Sequence, residues 1–166
     1  MTSMAQRVEI QFEIESAMRT YCRGIDRLDE ATVRAAFHPG AVLEGYGDGL
    51  AMTVEQFAPH AIVKLREKYV ATQHRLSNIT VDLRDDSTAV VESYVLAYHV
   101  METPEGRTLV TFDGRYVDRF ERRDGAWRIA HRHLRIDFGD VSPMGAPMRG
   151  AYVPSGRAGA PDPIWD

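Results

Sequence analysis

The sequence has very little cysteine, little lysine and no long apolar run. Its single cysteine, Cys22, excludes an internal disulfide and any metal site built from several thiolates. No apolar stretch approaches the roughly 18 residues that a membrane-spanning helix requires, and the first residues lack the apolar segment of a signal peptide. Only two of the 20 basic residues are lysine, Lys64 and Lys68, a bias that indicates genomic composition rather than a function. We therefore expect a soluble, cytoplasmic protein that does not associate with membranes.

The charge balance argues against binding to nucleic acid. The 166 residues carry 20 basic and 24 acidic side chains, a formal net charge of −4. Nucleic-acid-binding domains instead present a basic surface that displaces counterions from phosphates. A chain of this length typically forms one domain. We predict a single domain over residues 1–140 and a Gly/Pro-rich tail over residues 141–166, which is a candidate cover for a pocket.

Hydrophobic periodicity predicts helices in the first half of the chain. Apolar residues recur at three- and four-residue steps, the spacing of one helix face. The predicted helices cover residues 7–28, 29–37 and 53–69, and a short strand covers residues 41–46. Asp29 and Thr53 have the side chains of N-caps, and Pro39–Gly40 is expected to end the second helix.

The second half of the chain alternates with a period of two, which is typical of strands. Four strands are predicted, over residues 73–83, 89–102, 107–122 and 127–138. Short turn-like connections separate them, so neighbouring strands are expected to pair antiparallel. The alternation slips near Ser77–Asn78, which predicts a β-bulge. Helices followed by strands indicate an α+β fold, with the helices packed on one face of a curved sheet.

Three titratable residues are candidates for chemistry. Asp26 ends the first predicted helix, where the helix dipole disfavours a carboxylate that has neither solvent nor a partner. His74 begins the first long strand, and His99 lies on one face of the second. The other residues of that face are small or apolar, as in the wall of a cavity: Val91, Ser93, Val95 and Ala97. The structural alternatives are a solvated helix-end carboxylate and histidines that only pack.

Three segments of the sequence resemble the nuclear-transport-factor-2-like superfamily. They are Tyr21–Asp26 (YCRGID), Thr72–His74 (TQH) and Arg122–Ile129 (RRDGAWRI). Within this superfamily they are similar to the branch that holds scytalone dehydratase, the SnoaL-like polyketide cyclases, hexachlorocyclohexane dehydrochlorinase and bile-acid 7-alpha-dehydratase. The resemblance implies a cone-shaped α+β barrel, in which N-terminal helices close a strongly curved, mostly antiparallel sheet around a pocket.

The resemblance also assigns candidate catalytic residues. Lyases of this branch use an aspartate–histidine dyad, and Asp26 and His74 stand at its two positions. Supporting residues implied by the same resemblance are Tyr46 and His99, from the scytalone dehydratase pattern, and Tyr21 and Arg132, from the bile-acid dehydratase pattern. The relatives among the lyases imply a homo-oligomer, with a trimer favoured over a dimer. The strand face around Trp127 and His131 is the candidate interface.

These residues suit proton abstraction without a cofactor or a metal. Histidine ordinarily titrates near pH 6.5, close to the pH at which a general base must work. A carboxylate on its other ring nitrogen fixes the tautomer and stabilises the imidazolium that forms. We predict a dehydratase-like lyase that acts beside the carbonyl of a hydroxylated, hydrophobic, cyclic molecule of steroid-like or polyketide-like character. The alternatives are an isomerase or cyclase in the same pocket and a non-catalytic small-molecule-binding module.

Two further clusters have competing interpretations. His131 and His133 share one strand face, as in some metal sites, and the alternative is that both lie on the outer side of the sheet beside Trp127. Five arginines of the last strands suggest an anion site, but are expected to form a solvated face: Arg115, Arg119, Arg122, Arg123 and Arg128. Their expected partners are Asp118, Glu121 and Asp124.

Overall fold

Three helices occupy the first half of the chain. A computed structural model describes residues 3–47 and 49–145. The helices are α1 (Met4–Arg27), α2 (Glu30–Ala35) and α3 (Val54–Lys68). The predicted cap of α2 is confirmed, because Asp29 Oδ1 accepts a hydrogen bond from the Thr32 amide at 3.1 Å. Thr53 precedes α3 as predicted, and its amide donates to Gln56 Oε1 at 3.0 Å.

Six strands form one curved sheet against which the helices pack. The strands are β1 (Phe37–Glu44), β2 (Met52–Thr53), β3 (Ala71–Leu83), β4 (Thr88–Thr103), β5 (Gly106–Arg123) and β6 (Ala126–Pro143). Their order in the sheet is β2-β1-β6-β5-β4-β3. All neighbours are antiparallel except β1 and β6. The predicted α+β class is confirmed, with N-terminal helices on a mostly antiparallel sheet.

The region around Pro39 differs from the prediction. Helix α2 ends at Ala35, and β1 begins at Phe37 and runs through Pro39 and Gly40. The pairing of β1 with β6 shifts between Phe37 and Val42. Proline is tolerated there because this irregular stretch requires no ladder hydrogen bond from its nitrogen. Proline and glycine therefore mark a strand irregularity here rather than a helix end.

Two of the bulges in the sheet decide which side chains face the helices; a further register shift lies between Asp113 and Gly114, where Asp137 of β6 has no register partner across β5. The predicted bulge in β3 is confirmed, because the register with β4 shifts between Ser77 and Thr80, and Asn78 has a φ of 47°. A second bulge lies in β6, where Arg119 pairs with His131 and Phe120 pairs with Ile129. The intervening Ala130 has no partner across β5. Each bulge adds one residue to the strand, so the alternation shifts by one position. The residues that face the helices therefore change between even and odd sequence positions after the bulge.

The core lies between the helices and the concave face of the sheet. It contains Ile14 and Met18 of α1, Phe57 of α3, and Phe120 and Ile129 of the sheet, all at most 4 % exposed. Strand β6 continues to Pro143, and the predicted tail lies outside the described residues from residue 146 onward. Within the described residues, no helix combines the length and apolar character needed to cross a membrane.

Candidate active site

A cavity of about 700 Å³ opens between α1, α3 and the concave face of the sheet. Three residues of the β4 face predicted as a cavity wall line it, namely Val95, Ala97 and His99, whereas Val91 and Ser93 are fully buried and do not. Most other lining residues are apolar or aromatic, among them Ile25 and Phe112. This volume and lining suit a cyclic, largely apolar small molecule.

Asp26 and His74 contact each other twice at the cavity wall. Asp26 Oδ1 lies 2.8 Å from His74 Nδ1, and Asp26 Oδ2 accepts the His74 backbone amide at 2.9 Å. The His74 side chain is 8 % exposed and lines the cavity. Because Asp26 ends α1 and His74 starts β3, the packing of one element on the other sets this geometry. The carboxylate has the partner that a helix-end acid requires.

The ionisation of Asp26 fixes the tautomer of His74. Burial raises the pKa of Asp26, but the hydrogen bonds and charge of His74 outweigh it, so the pKa lies below the ordinary 3.8. At neutral pH the carboxylate is therefore ionised and can only accept hydrogen bonds. It follows that Nδ1 of His74 carries the proton, and that Nε2 of the neutral ring carries a lone pair.

His99 packs beside this pair. Its ring meets the His74 ring edge-on, with centroids 5.5 Å apart, and Phe112 edge-on at 5.3 Å. Tyr69, which follows α3, lies 4.6 Å from the His99 centroid. The structure thus brings the three titratable candidates together at one end of the cavity.

Two tyrosines face the cavity from its other side. Tyr21 of α1 and Tyr46, which follows β1, line it and place their hydroxyl oxygens 3.2 Å apart. Burial raises the pKa of both hydroxyls well above the ordinary 10.0. Tyr21 raises the pKa of Tyr46 further, whereas the hydrogen bond with Tyr46 lowers the pKa of Tyr21 without outweighing burial. Both hydroxyls therefore stay protonated and are hydrogen-bond donors rather than bases.

Arg132 lies beneath the cavity rather than in it. Its side chain is fully buried and forms two hydrogen bonds with Asp118, Nε to Oδ1 at 2.8 Å and Nη2 to Oδ2 at 2.6 Å. Its guanidinium carbon lies 3.8 Å from the ring centroid of Tyr116 and 4.3 Å from that of Tyr21. Burial opposes the charge of Arg132, but the Asp118 carboxylate outweighs it and raises the pKa of the guanidinium. Arg132 is not among the residues that line the cavity.

The expected surface role of Asp118 is wrong. Asp118 is 1 % exposed, and burial raises the pKa of its carboxyl against the opposing effect of Arg132. The alternation of β5 indicates that Asp118 is buried, because Tyr116 and Phe120, two residues before and after it on the same face, are also buried. The surface arginines have other partners: Arg115 bonds to Asp137 and Glu92, and Arg119 and Arg123 pair with Glu121.

The face predicted as an interface is not one surface. Trp127 is 3 % exposed in the core, whereas His131 lies on the outer side of the sheet. The bulge at Ala130 separates the two. His131 and His133 instead flank Glu44 of β1, with nitrogen–oxygen distances of 3.7 and 3.3 Å. In the described part of the chain, no set of three or more histidine, cysteine or acidic side chains is arranged to hold a metal ion. The oligomeric state stays a prediction.

Sequence reasoning missed the contribution of α3 to the cavity. Residues of this helix line the wall opposite the sheet, among them Phe57, Ala61 and Leu65. Charged residues of its last turns lie at the same wall, namely Lys64, Glu67 and Lys68. The periodicity of α3 marked an apolar face but did not separate core positions from cavity positions.

This combination of fold and site defines the class of protein. Helices on a curved six-stranded sheet that encloses a small-molecule cavity form the cone-shaped domain of the nuclear-transport-factor-2-like superfamily. A model of the SnoaL-like domain matches residues 6–133, so the chain belongs to the SnoaL-like family of that superfamily. The resemblance noted in the sequence is confirmed.

Solved structures show the same fold. A protein from Novosphingobium aromaticivorans, provisionally named a scytalone dehydratase, is 21% identical with a TM-score of 0.73, over 88% of this chain and 100% of that one. The hexachlorocyclohexane dehydrochlorinase LinA-type3 of Novosphingobium barchaimii is 17% identical with a TM-score of 0.74, over 87% and 100%. A Mycobacterium tuberculosis protein of unknown function is 26% identical with a TM-score of 0.66, over 80% and 74%. No curated protein matches the sequence significantly.

Proposed function

We propose that this chain is a cofactor-free lyase of the dehydratase type, acting on a hydroxylated cyclic ketone of steroid-like or polyketide-like character. The observation that carries the proposal is the double contact between Asp26 and His74 at the wall of a cavity of about 700 Å³. An ionised carboxylate on Nδ1 leaves Nε2 as the base, the arrangement that general-base catalysis by histidine requires.

The proposed reaction is a β-elimination. His74 Nε2 removes the proton from the carbon next to the carbonyl, and the electron pair of that C–H bond forms the new carbon–carbon double bond. The carbon–oxygen bond of the β-hydroxyl breaks, and the hydroxyl leaves with its electron pair and takes up the proton from Nε2 of the protonated His74, which gives water and returns the imidazole to its neutral form. Asp26 orients the imidazole and stabilises its protonated form, while His99, itself packed against Phe112, contacts the ring edge-on.

Tyr21 and Tyr46 are the proposed donors to the oxygen that gains charge. Because burial keeps both hydroxyls protonated, one of them donates to the carbonyl oxygen as it becomes enolate-like, or to the departing hydroxyl. The short separation of the two oxygens lets one tyrosine orient the other. Arg132 supports the tyrosine rings from below and does not touch the substrate in this mechanism.

The test is turnover of cyclic β-hydroxyketones, followed through the absorbance of the conjugated enone. We expect wild-type turnover of at least one such ketone, and loss of turnover in His74→Ala and in Asp26→Asn. Circular dichroism and ligand binding near wild type show that both variants fold. If His74→Ala binds the ketone but converts it as fast as the wild type does, His74 is not the base.

Exchange of substrate protons in deuterated water separates the alternatives. A dehydratase releases water and gives the enone, whereas an isomerase returns the proton and incorporates deuterium without losing oxygen. A binding module binds the same ketones but neither exchanges nor converts them. Mass spectrometry of the recovered ligand distinguishes the three outcomes.

A further inference from the structure

The two lysines of the sequence lie at the same wall of the cavity. Lys64 and Lys68 are four residues apart on α3, so they project from the same face of that helix. Both side chains are exposed, and both line the cavity. The other 18 basic residues are arginines, and no arginine among the described residues lines it. The positive charge at this wall therefore comes from the lysine pair.

The charge of this wall is not balanced by ion pairing among the described residues. Among these residues, neither the Lys64 nor the Lys68 ammonium lies within 4.0 Å of a carboxylate oxygen. Lys68 Nζ instead lies 5.3 Å from the ring centroid of Tyr69. Glu67 is the acidic side chain of the same wall, so two positive charges face one negative charge. Lysine is flexible and strongly hydrated, and it binds an anion as a point charge at a solvent-accessible mouth.

A continuous row of rings connects this wall to the dyad. The row runs from Lys68 over Tyr69 to His99, and from His99 to His74. Tyr69, His99 and His74 all line the cavity, so a ligand that extends from His74 toward α3 passes His99 and Tyr69. Its other end then points toward the lysines.

We infer that the substrate carries a carboxylate at the end of its ring system that is remote from the reacting carbon, and that Lys64 and Lys68 bind this group. The inference rests on the proposed function, because it names the substrate class of the same cavity. Apolar lining binds the rings, the dyad acts at one end, and the lysine pair selects an anion at the other end.

The experiment compares 2-naphthoate with 2-naphthamide, two planar ligands of the same shape and different charge, by isothermal titration. Exposed ion pairs are each worth little, so two of them give a preference for the acid of about fivefold. We expect this preference in the wild type and equal affinities in the double variant Lys64→Met/Lys68→Met. Salt near 1 M shortens the Debye length to about 3 Å and should remove the preference without weakening amide binding.

Two variants of the same helix serve as matched controls. Arg66→Met removes a positive charge from an exposed position that does not line the cavity, and it should leave both affinities unchanged. Glu67→Gln removes the negative charge of the wall, and it should strengthen binding of the acid alone.

The outcomes separate this inference from the proposed function. Equal wild-type affinities for acid and amide, or a preference that survives in the double variant, overturn the lysine site and leave the dyad chemistry standing. A lysine-dependent preference in a protein that converts no hydroxyketone supports the anion site and contradicts the lyase. If neither ligand binds, the cavity does not take planar rings and the lysine site is overturned, while turnover of cyclic hydroxyketones still decides the lyase.

Discussion

Asp118 and Arg132 form a two-point hydrogen-bonded ion pair that is fully buried beneath the cavity floor. The two residues face each other across β5 and β6. The pair supports the rings of Tyr21 and Tyr116, which form part of that floor. Two charges in the core are costly unless each compensates the other. This pair therefore links the stability of the fold to the shape of the site.

Removing one partner of this pair should destabilise the protein strongly. In Asp118→Asn the guanidinium of Arg132 stays buried without its carboxylate, so we expect a loss of about 3–5 kcal/mol in the free energy of unfolding. Urea denaturation measures it. The double variant Asp118→Val/Arg132→Met removes both charges and should recover much of the loss. A single variant as stable as the wild type would show that the pair contributes nothing.

The stability of the fold should depend on the ionisation of Asp26 at low pH. Its folded pKa lies below the ordinary 3.8, because the contacts with His74 outweigh the effect of burial. The ionised carboxylate thus stabilises the fold above pH 3.8, and this contribution is lost as the pH falls through the folded pKa.

Asp26→Asn should accordingly reduce the pH dependence of stability. Between about pH 5 and pH 3, the free energy of unfolding of the wild type should fall more steeply than that of the variant. Asp29, Glu55, Asp85 and Asp137, whose pKa values are also lowered by hydrogen bonds, remain in both proteins and contribute to the remaining slope. Parallel curves for the two proteins would rule out a stabilising role of the Asp26 carboxylate.

The hydroxyl of Tyr46 should matter for turnover and not for folding. Tyr46→Phe keeps the ring that packs 4.6 Å from Phe57 but removes a donor to the developing oxyanion. We expect kcat of the proposed reaction to fall about 10²-fold with little change in thermal stability. Tyr94→Phe, on an exposed tyrosine outside the cavity, is the control and should be fully active. Unchanged kcat in Tyr46→Phe would exclude this hydroxyl as the donor.

Gly24 should tolerate no side chain. A Cβ at this position would lie 2.6 Å from the Val33 backbone nitrogen and 2.9 Å from Val33 Cγ2, because α1 and α2 touch there. Gly24→Ala should therefore cost about 1–3 kcal/mol of stability. Moving α1 also displaces Asp26, so turnover should fall as well. A stabilised Gly24→Ala variant, as helix propensity alone would give, would contradict this close contact.

The control for Gly24→Ala is Ala17→Gly, at a partly exposed position of the same helix. It changes helix propensity by a similar amount in the opposite direction and creates no clash. We expect a loss of about 1 kcal/mol in the free energy of unfolding, without an effect on turnover.

The sequence predicted the parts of the fold that depend on periodicity. The long strands, the inward face of β4 and the bulge near Asn78 follow from alternation within a few residues. The positions of Asp118 and Arg132 could not be found in this way. To predict that Asp118 is buried, the alternation of β5 has to be given more weight than the general preference of aspartate for the surface. To predict that Arg132 faces inward, one has to know that Ala130 is unpaired and shifts the alternation of β6, and no glycine, proline or other turn residue marks that position.

The candidate site was likewise predictable only in part. The resemblance placed Asp26 and His74 at dyad positions, and the structure brings the two side chains into contact. The scarcity of lysine indicates only a compositional bias, and nothing in a linear pattern indicates which face of α3 borders a cavity. That information arises only when a helix and a sheet from distant parts of the chain pack together.

The unpaired Ala130 also bears on how such a domain can vary. Its single extra residue puts Trp127 and Ile129 in the core and then Arg132 under the site, all from one strand. Deleting Ala130 would leave a regular ladder in which His131 and His133 still point outward and Arg132 still points inward, because Ile129 and His131 already pair with the consecutive residues Phe120 and Arg119. A length change of one residue at this point is thus taken up by the bulge, so that the buried pair and the site above it keep their faces.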